Sequence, residues 1–426
     1  VSLSSALSTA VSGLTAQSLA LSTISENIAN ASTTAYKTSE TNFQTLLTGI
    51  TNGGTSGGGV TARVLQTMTQ QGQIASTATP TNVAIDGSGY FVVAGSASAA
   101  ASDYAYTRDG SFSTDSSGNL VNDAGYYLEG FATDATGKVL AANASDISNL
   151  KPINLSNIGG TAKATTQVNM AANLPANAAV GDAFPTSTTM IDSLGVSHTI
   201  DQTWTKTAAN SWTVALANPT LTSDPSVTSG TISPSSVTVT FDSSGVLAST
   251  NPSPVSLAIS GLTTGAADSA ITLNLGTVGK TNGVTQFSST STVTGIENPS
   301  FTEDGAVYGQ LTGVTIDAKG LVTAAFDNGV KLPVYQIPVA IFANPNGLTP
   351  ASGTVFNENQ AAGAVSLRMP GDSDAGTLTA SALEGSTTDI AGEFNKMIVA
   401  QQAYAAASQV VTTVKSMFET LTSAIR

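Results

Sequence analysis

Apolar residues recur at seven-residue intervals at both ends of the chain, and that spacing fades between them. Near the N-terminus, Leu7, Leu14, Leu21 and Ile28 form one row, with Leu3, Ala10, Gln17 and Ile24 beside it. Two such rows share one face of a helix and make a continuous seam, here with Gln17 as its polar interruption. At the other end the rows are Ile390, Met397, Tyr404, Val411, Phe418 and Ile425, then Ala400, Ala407, Val414 and Leu421. Ser386 to Asp389 stand just before this second run and carry side chains suited to capping its first turn. The pattern predicts two terminal helices, each with an apolar seam that needs a partner. Either they pack as amphipathic helices on a globular core, or they form a coiled coil used for assembly. A lone helix of this length is marginal in water. Both ends are therefore expected to be largely disordered in the free monomer and to fold on burial in an assembly.

Between the ends the periodicity changes to that of strands. Val83-Ala84-Ile85, Tyr90-Phe91-Val92-Val93, Trp212-Thr213-Val214 and Val237-Thr238-Val239-Thr240-Phe241 are short runs rich in β-branched and aromatic residues. An Asp-x-x-Gly unit recurs at Asp115–Gly118, Asp134–Gly137, Asp192–Gly195, Asp242–Gly245 and Asp317–Gly320. Asp bonds the local backbone and Gly accepts a positive φ, so these units predict tight turns. They lack the alternating ligands and closing Glu of a calcium loop. Tyr106-Thr107-Arg108-Asp109-Gly110 resembles Phe301-Thr302-Glu303-Asp304-Gly305, which places both in one β domain interrupted by an insertion. The expected class is mixed, mainly β with terminal α-helices. Residues 1–33 and 385–426 make the coiled-coil domain, and 34–75 a linker or extended region with a glycine-rich hinge. Residues 76–150 and 286–384 make an inner β domain, with an outer β domain inserted at 151–285. Gly53, Gly54, Gly57, Gly58 and Gly59 sit in a glycine-rich run that reads as a flexible hinge.

Composition narrows the function. The 426 residues carry a net charge of −14, and only 10% are charged, with no Lys/Arg cluster to neutralise phosphates. Nucleic acid is not an expected partner. With no cysteine and one histidine, His198, neither a Cys-based metal site nor a multi-His site can form. No window reaches about 18 uninterrupted apolar residues, so membrane insertion is not expected. Val1 to Ile28 lacks the basic start and apolar block of a secretory signal, so any export would use another route. Gly54-Thr55-Ser56-Gly57-Gly58 fits the nucleophile-elbow spacing, but its surroundings are Gly/Ser-rich and His198 is remote in sequence. Gly87-Ser88-Gly89 runs into an aromatic strand, not the helix a dinucleotide site requires. The acidic residues lie singly in turns, and Trp204 and Trp212 suit core-facing strand positions better than a sugar platform. No catalytic residue, cofactor or metal is expected. A structural or interaction protein is the leading class, with an extracellular carbohydrate-binding or hydrolysing β protein as the alternative.

The run Asn27-Ile28-Ala29-Asn30-Ala31-Ser32-Thr33-Thr34-Ala35-Tyr36-Lys37 resembles the signature of the flagellar rod and hook axial family, with Asn27, Asn30, Thr33, Tyr36 and Lys37 as its marks. The family usually has Gly before the Tyr-Lys pair, so Ala35 departs from it, leaving a positive φ there open. Ala382 to Phe394 and Met397 to Tyr404 resemble the family's C-terminal signature, with Ser386-Thr387-Thr388-Asp389-Ile390 a weakened form of one segment. Asp192 to Ile200 with the two tryptophans, and Tyr335 to Leu348, are similar to the outer and returning inner segments of hook proteins. The resemblance implies a curved helical tube that acts as a universal joint between rod and filament. It implies self-association through Leu3, Leu7, Leu14, Leu21, Ile24, Ile28, Ile390, Met397, Tyr404, Val411, Val414, Phe418, Leu421 and Ile425. Further implied partners are rod and hook–filament junction proteins, the hook cap and the flagellar type III export apparatus. The implied location is the extracellular hook, reached without a cleavable signal peptide. A distal rod or hook-associated protein is the near alternative.

Overall fold

The computed structural model describes residues 3–51, 54–98, 103–141, 143, 145–289 and 295–424. The expected class holds: strands fill the middle, and α1 (Leu3–Ala29) and α2 (Ile390–Ala424) stand at the ends. Asp389 caps α2, its Oδ1 accepting from the Ala391 N–H at 3.1 Å. The two helices pack against each other. Asn27 meets Glu393 at one end and Leu14 lies beside Tyr404 further along, so they run antiparallel.

Chain contacts divide the molecule into two units. The first is Val1–Asn157, Val314–Thr323 and Leu332–Arg426, and the second is Ile158–Gly313 with Ala324–Lys331. After α1 comes a long antiparallel arm, β1 (Ser39–Thr51) and β2 (Gly54–Gln66), with Ser39 opposite Gln66 at its base. The 34–75 region is thus extended, but much of it is paired into an arm and not a free linker. Asn52 and Gly53 lie outside the described residues, but Gly54, Gly57, Gly58 and Gly59 belong to β2. Both ends of the glycine run return to the same base, so it cannot be a hinge between helix and sheet. Gly59 has φ +108° at a register shift, and a Cβ there would fall 2.2 Å from Ser12 Oγ on α1.

Beyond the arm, β3 (Ile74–Ser76) pairs with Ala382–Glu384, and β4 (Val83–Asp86) pairs with Thr377–Ala380. Early and late chain are thereby interleaved beside the helices. β5 (Phe91–Ala94) lies between β6 (Tyr104–Thr107) and Tyr127–Ala132. It is buried on both faces: Phe91 and Val93 enter one apolar cluster, Val92 and Ala94 another.

The second unit holds a six-stranded and a seven-stranded sheet that share one core. Ser197–Ala208 alternates inward and outward, placing Ile200 and Trp204 in that core, while Trp212 enters from the next strand. Phe301 to Glu303 belongs here, paired with Gln167–Asn173, and not with the Tyr106 segment. Its anchor is Asp304, whose carboxylate accepts from the Thr166 and Gln167 amides and from Thr166 Oγ1 and Lys163 Nζ. The second unit therefore comprises 158–313 and 324–331, in place of the insertion expected at 151–285. The five Asp-x-x-Gly turns form as expected. In each, the Asp carboxylate accepts backbone amides two and four residues on. The glycines at 118, 137, 195, 245 and 320 all have φ between 77° and 85°.

Candidate functional site: the paired termini and their buried root

Both sequence-level candidates for chemistry resolve into structure. Ser56 lies within β2. His198 is fully buried, with Nε2 3.0 Å from Asp192 Oδ2 and Nδ1 2.6 Å from Ser229 Oγ. The three residue types match a hydrolase triad, but all three side chains are sealed from solvent, so no substrate carbonyl reaches Ser229. The trio is a clasp. Asp192 also accepts from Thr264 Oγ1 and from the Leu194 and Val196 amides. Burial alone would raise its carboxyl; these bonds, His198 first, hold it below the usual range. Among the described residues no cluster of three or more His, Cys, Asp or Glu is placed to hold a metal.

The family-signature residues converge at the root of the helical pair. Asn30 and Thr33 close the end of α1, Asn30 Nδ2 donating to the Glu26 carbonyl and Thr33 Oγ1 to Asn30 Oδ1. Asn27 reaches further. Its Nδ2 donates to the Ser39 carbonyl at 2.8 Å and to Glu393 Oε2 at 3.0 Å, and its Oδ1 accepts from the Tyr36 hydroxyl and the Ser39 N–H. One amide thus ties α1, β1 and α2 together. Burial first, then Glu26 and Glu393, push the Tyr36 phenol up, keeping it a donor. Ala35 takes φ +56°, so the positive φ survives the replacement of glycine, and its N–H donates to the Glu384 carbonyl at 2.8 Å.

Lys37 is wholly buried and ends 2.6 Å from Glu384 Oε1. Arg108 takes the other oxygen at 3.2 Å, donates to the Gly87 carbonyl at 2.6 Å, and lies 5.4 Å from the Tyr90 ring centroid. The Gly72 amide adds a further bond to Glu384 Oε1. Burial, then the neighbouring Arg108, lower the Lys37 amine, and Glu384 opposes that. Sequence reasoning missed Glu384, Arg108 and Glu393 in this role. The signal was a lysine beside an aromatic residue, which needs an anion once buried.

The predicted seam divides in the single chain. Ile24 and Val414 are buried, while Leu7, Leu14, Leu21, Ile28, Met397 and Val411 are half-buried. Ile390, Tyr404, Phe418 and Leu421 are exposed. Ile425 lies outside the described residues, and of Leu3 only the backbone is described. Other apolar side chains, off the heptad rows, are also open: Phe394, Ile398, Val399, Val410 and Met417 on α2, Val11 and Leu19 on α1. A groove of about 520 Å³ runs between α1, α2 and β1, lined by Ala20, Ile24, Phe43, Lys396, Val399 and Ala400 among others. Such an arrangement can bind apolar protein surface.

Comparison with known proteins gives a consistent result. The model of the flagella basal body rod protein matches residues 7–37, and that of the flagellar hook protein FlgE/F/G D1 domain matches 84–177. The flagellar basal body protein FlaE D2 domain matches 163–305, and the flagellar basal body rod FlgEFG protein C-terminal model matches 379–424. Flagellar hook protein FlgE of Rhizobium meliloti is 35% identical over 426 residues, covering 99% of each chain. That of Brucella suis is 35% identical over 434 residues, again 99% of each, and that of Salmonella typhimurium is 31% identical over 435 residues, 97% of this chain and 98% of that one. The crystal structure of Helicobacter pylori flagellar hook protein FlgE2 covers 71% of this chain and 98% of that chain, with a TM-score of 0.45 and 13% identity.

Proposed function

This chain belongs to the flagellar hook protein family, and on that premise we propose that its two terminal helices are the polymerising element of a curved tube that transmits torque. The observation that carries this reading is the division of the helical pair. Its root is locked by buried polar bonds, while α2 keeps large apolar side chains open along most of its length. An open apolar helix is stable only when something covers it. In an axial structure built from many copies, neighbouring copies supply that cover.

Bending requires contacts on one side of the tube to shorten as others lengthen. Apolar helix contacts near the axis would resist separation, because desolvated surface is costly to re-expose. Only 10% of the residues are charged, so few geometry-fixed ion pairs would hold one register between copies. Small, water-bridged polar contacts there can exchange at low cost. The rod, the filament-junction proteins, the cap and the type III export apparatus are the partners this role requires, and the extracellular hook is its location. The test is assembly of the full chain into tubes, seen by negative stain, and loss of tubes when the segment from Ile390 onward is removed. Equal tube formation by the truncated chain would overturn the reading.

A further inference from the structure

α2 has 35 residues and α1 has 27, so in an antiparallel pair α2 outreaches its partner by about 12 Å. Its open apolar residues form two flanks. On the side of Tyr404 and Leu19 stand Ile390, Phe394 and Ile398, four residues apart. On the side of Phe43 and β1 stand Val399, then Val410, Met417 and Leu421. At about 100° per residue, Phe394 and Val399 point about 140° apart. Phe394 is 51% exposed, Val399 66% and Met417 52%. The strip between the flanks, Gln402, Gln409, Thr413 and Thr420, is polar and uncharged. Neither flank contains a charged residue, and the nearest charges on the outer half, Lys415 and Glu419, face each other at 3.9 Å.

Two features point to how the flanks are used. Their centres, Phe394 and Met417, are displaced by about 35 Å along the helix, at 1.5 Å per residue. Their chemistry also differs: a bulky ring between two isoleucines on one, and an adaptable methionine with Val and Leu on the other, a pairing that accommodates an aromatic ring. A single flank meeting its own kind is two-fold and closes on a pair, whereas unlike flanks meeting head to tail repeat one contact with one polarity, as a directional tube requires. Resting on the assembly reading above, we infer that the Ile390–Phe394–Ile398 flank of one copy packs on the Val410–Met417–Leu421 flank of a second copy. The axial offset makes the contact advance along the tube as it passes from copy to copy.

Charge substitution in the full chain tests this. Phe394→Lys alone and Met417→Glu alone should each abolish tubes, since each sets an unpaired charge against an apolar flank. The double variant places Lys against Glu at every contact and should regain tubes at a critical concentration within about tenfold of the parent. Single variants that assemble like the parent, or a double variant as defective as either single, would overturn the contact and leave the assembly reading standing. A parent chain that never forms tubes would take down both. Because the chain has no cysteine, Phe394→Cys with Met417→Cys offers a gentler check. A covalent ladder on oxidising preformed tubes is the expected result. Dimers from Phe394→Cys alone, or intact tubes without cross-links, would refute it.

Discussion

The root of the helical pair and the outer half of α2 are built on opposite principles. At the root, Asn27, Tyr36, Lys37, Arg108, Glu384 and Glu393 are buried, and their bonds link four chain segments. Along α2 beyond Val399 the polar groups mostly bond their own helix, as Thr412, Ser416 and Thr420 do with carbonyls four residues back. There the apolar groups are the ones without partners. The contrast shows where the single chain completes itself and where it does not. Buried polar bonds set one geometry at the root, because any misalignment leaves an unpaired charge. Open apolar flanks set no geometry until a neighbour arrives.

The sharpest way to break this comparison is at Glu384. Glu384→Ala leaves Lys37 and Arg108 buried without their anion and should cost about 3–5 kcal/mol in urea unfolding. A loss under about 1 kcal/mol would mean that the root is not held by this cluster. Glu129 provides the counter-example, a buried carboxyl whose Oε2 has no partner. Burial pushes it up to about 8 from 4.5. Below pH 4.5 folded and unfolded states both hold the proton. From there to about pH 8 only the folded state holds it, so stability falls as pH rises, by an amount on the order of a few kcal/mol, and then levels off. Glu129→Gln should flatten that slope; an unchanged pH profile would contradict it.

Smaller effects refine the picture. Ala35→Gly relieves a positive φ on a residue with a Cβ and should raise stability by about 0.5–1 kcal/mol, read as a higher urea midpoint. A decrease would show that Ala35 is not strained. At the open end, Phe418→Ser should cost the monomer no more than about 1–2 kcal/mol, because the ring is 40% exposed and only partly packed within its own chain. The same variant should raise the concentration needed for tubes. A large monomer destabilisation would mean that Phe418 is already covered within its own chain.

The terminal helices were legible because a seven-residue repeat and an N-cap are local features. The Asp-x-x-Gly turns were legible for the same reason, since carboxylate and amides lie within four residues. The glycine run was misread because its composition suits a loop equally well; only the paired strands and the approach of Gly59 to Ser12 reveal an arm. Phe301 to Glu303 was assigned by its likeness to the Tyr106 segment, but strand pairing with Gln167–Asn173 decided its place.

The sequence by itself determined that this protein has helical ends with apolar seams, a cysteine-free β middle and few charged residues. Tertiary structure alone decided that Lys37 meets Glu384 across 347 positions, and that α1 covers one face of α2 and leaves two flanks open. The physical reason is range. Periodicity and turn chemistry act over a few residues and are written in order along the chain, whereas burial depends on which distant segments come to cover a surface.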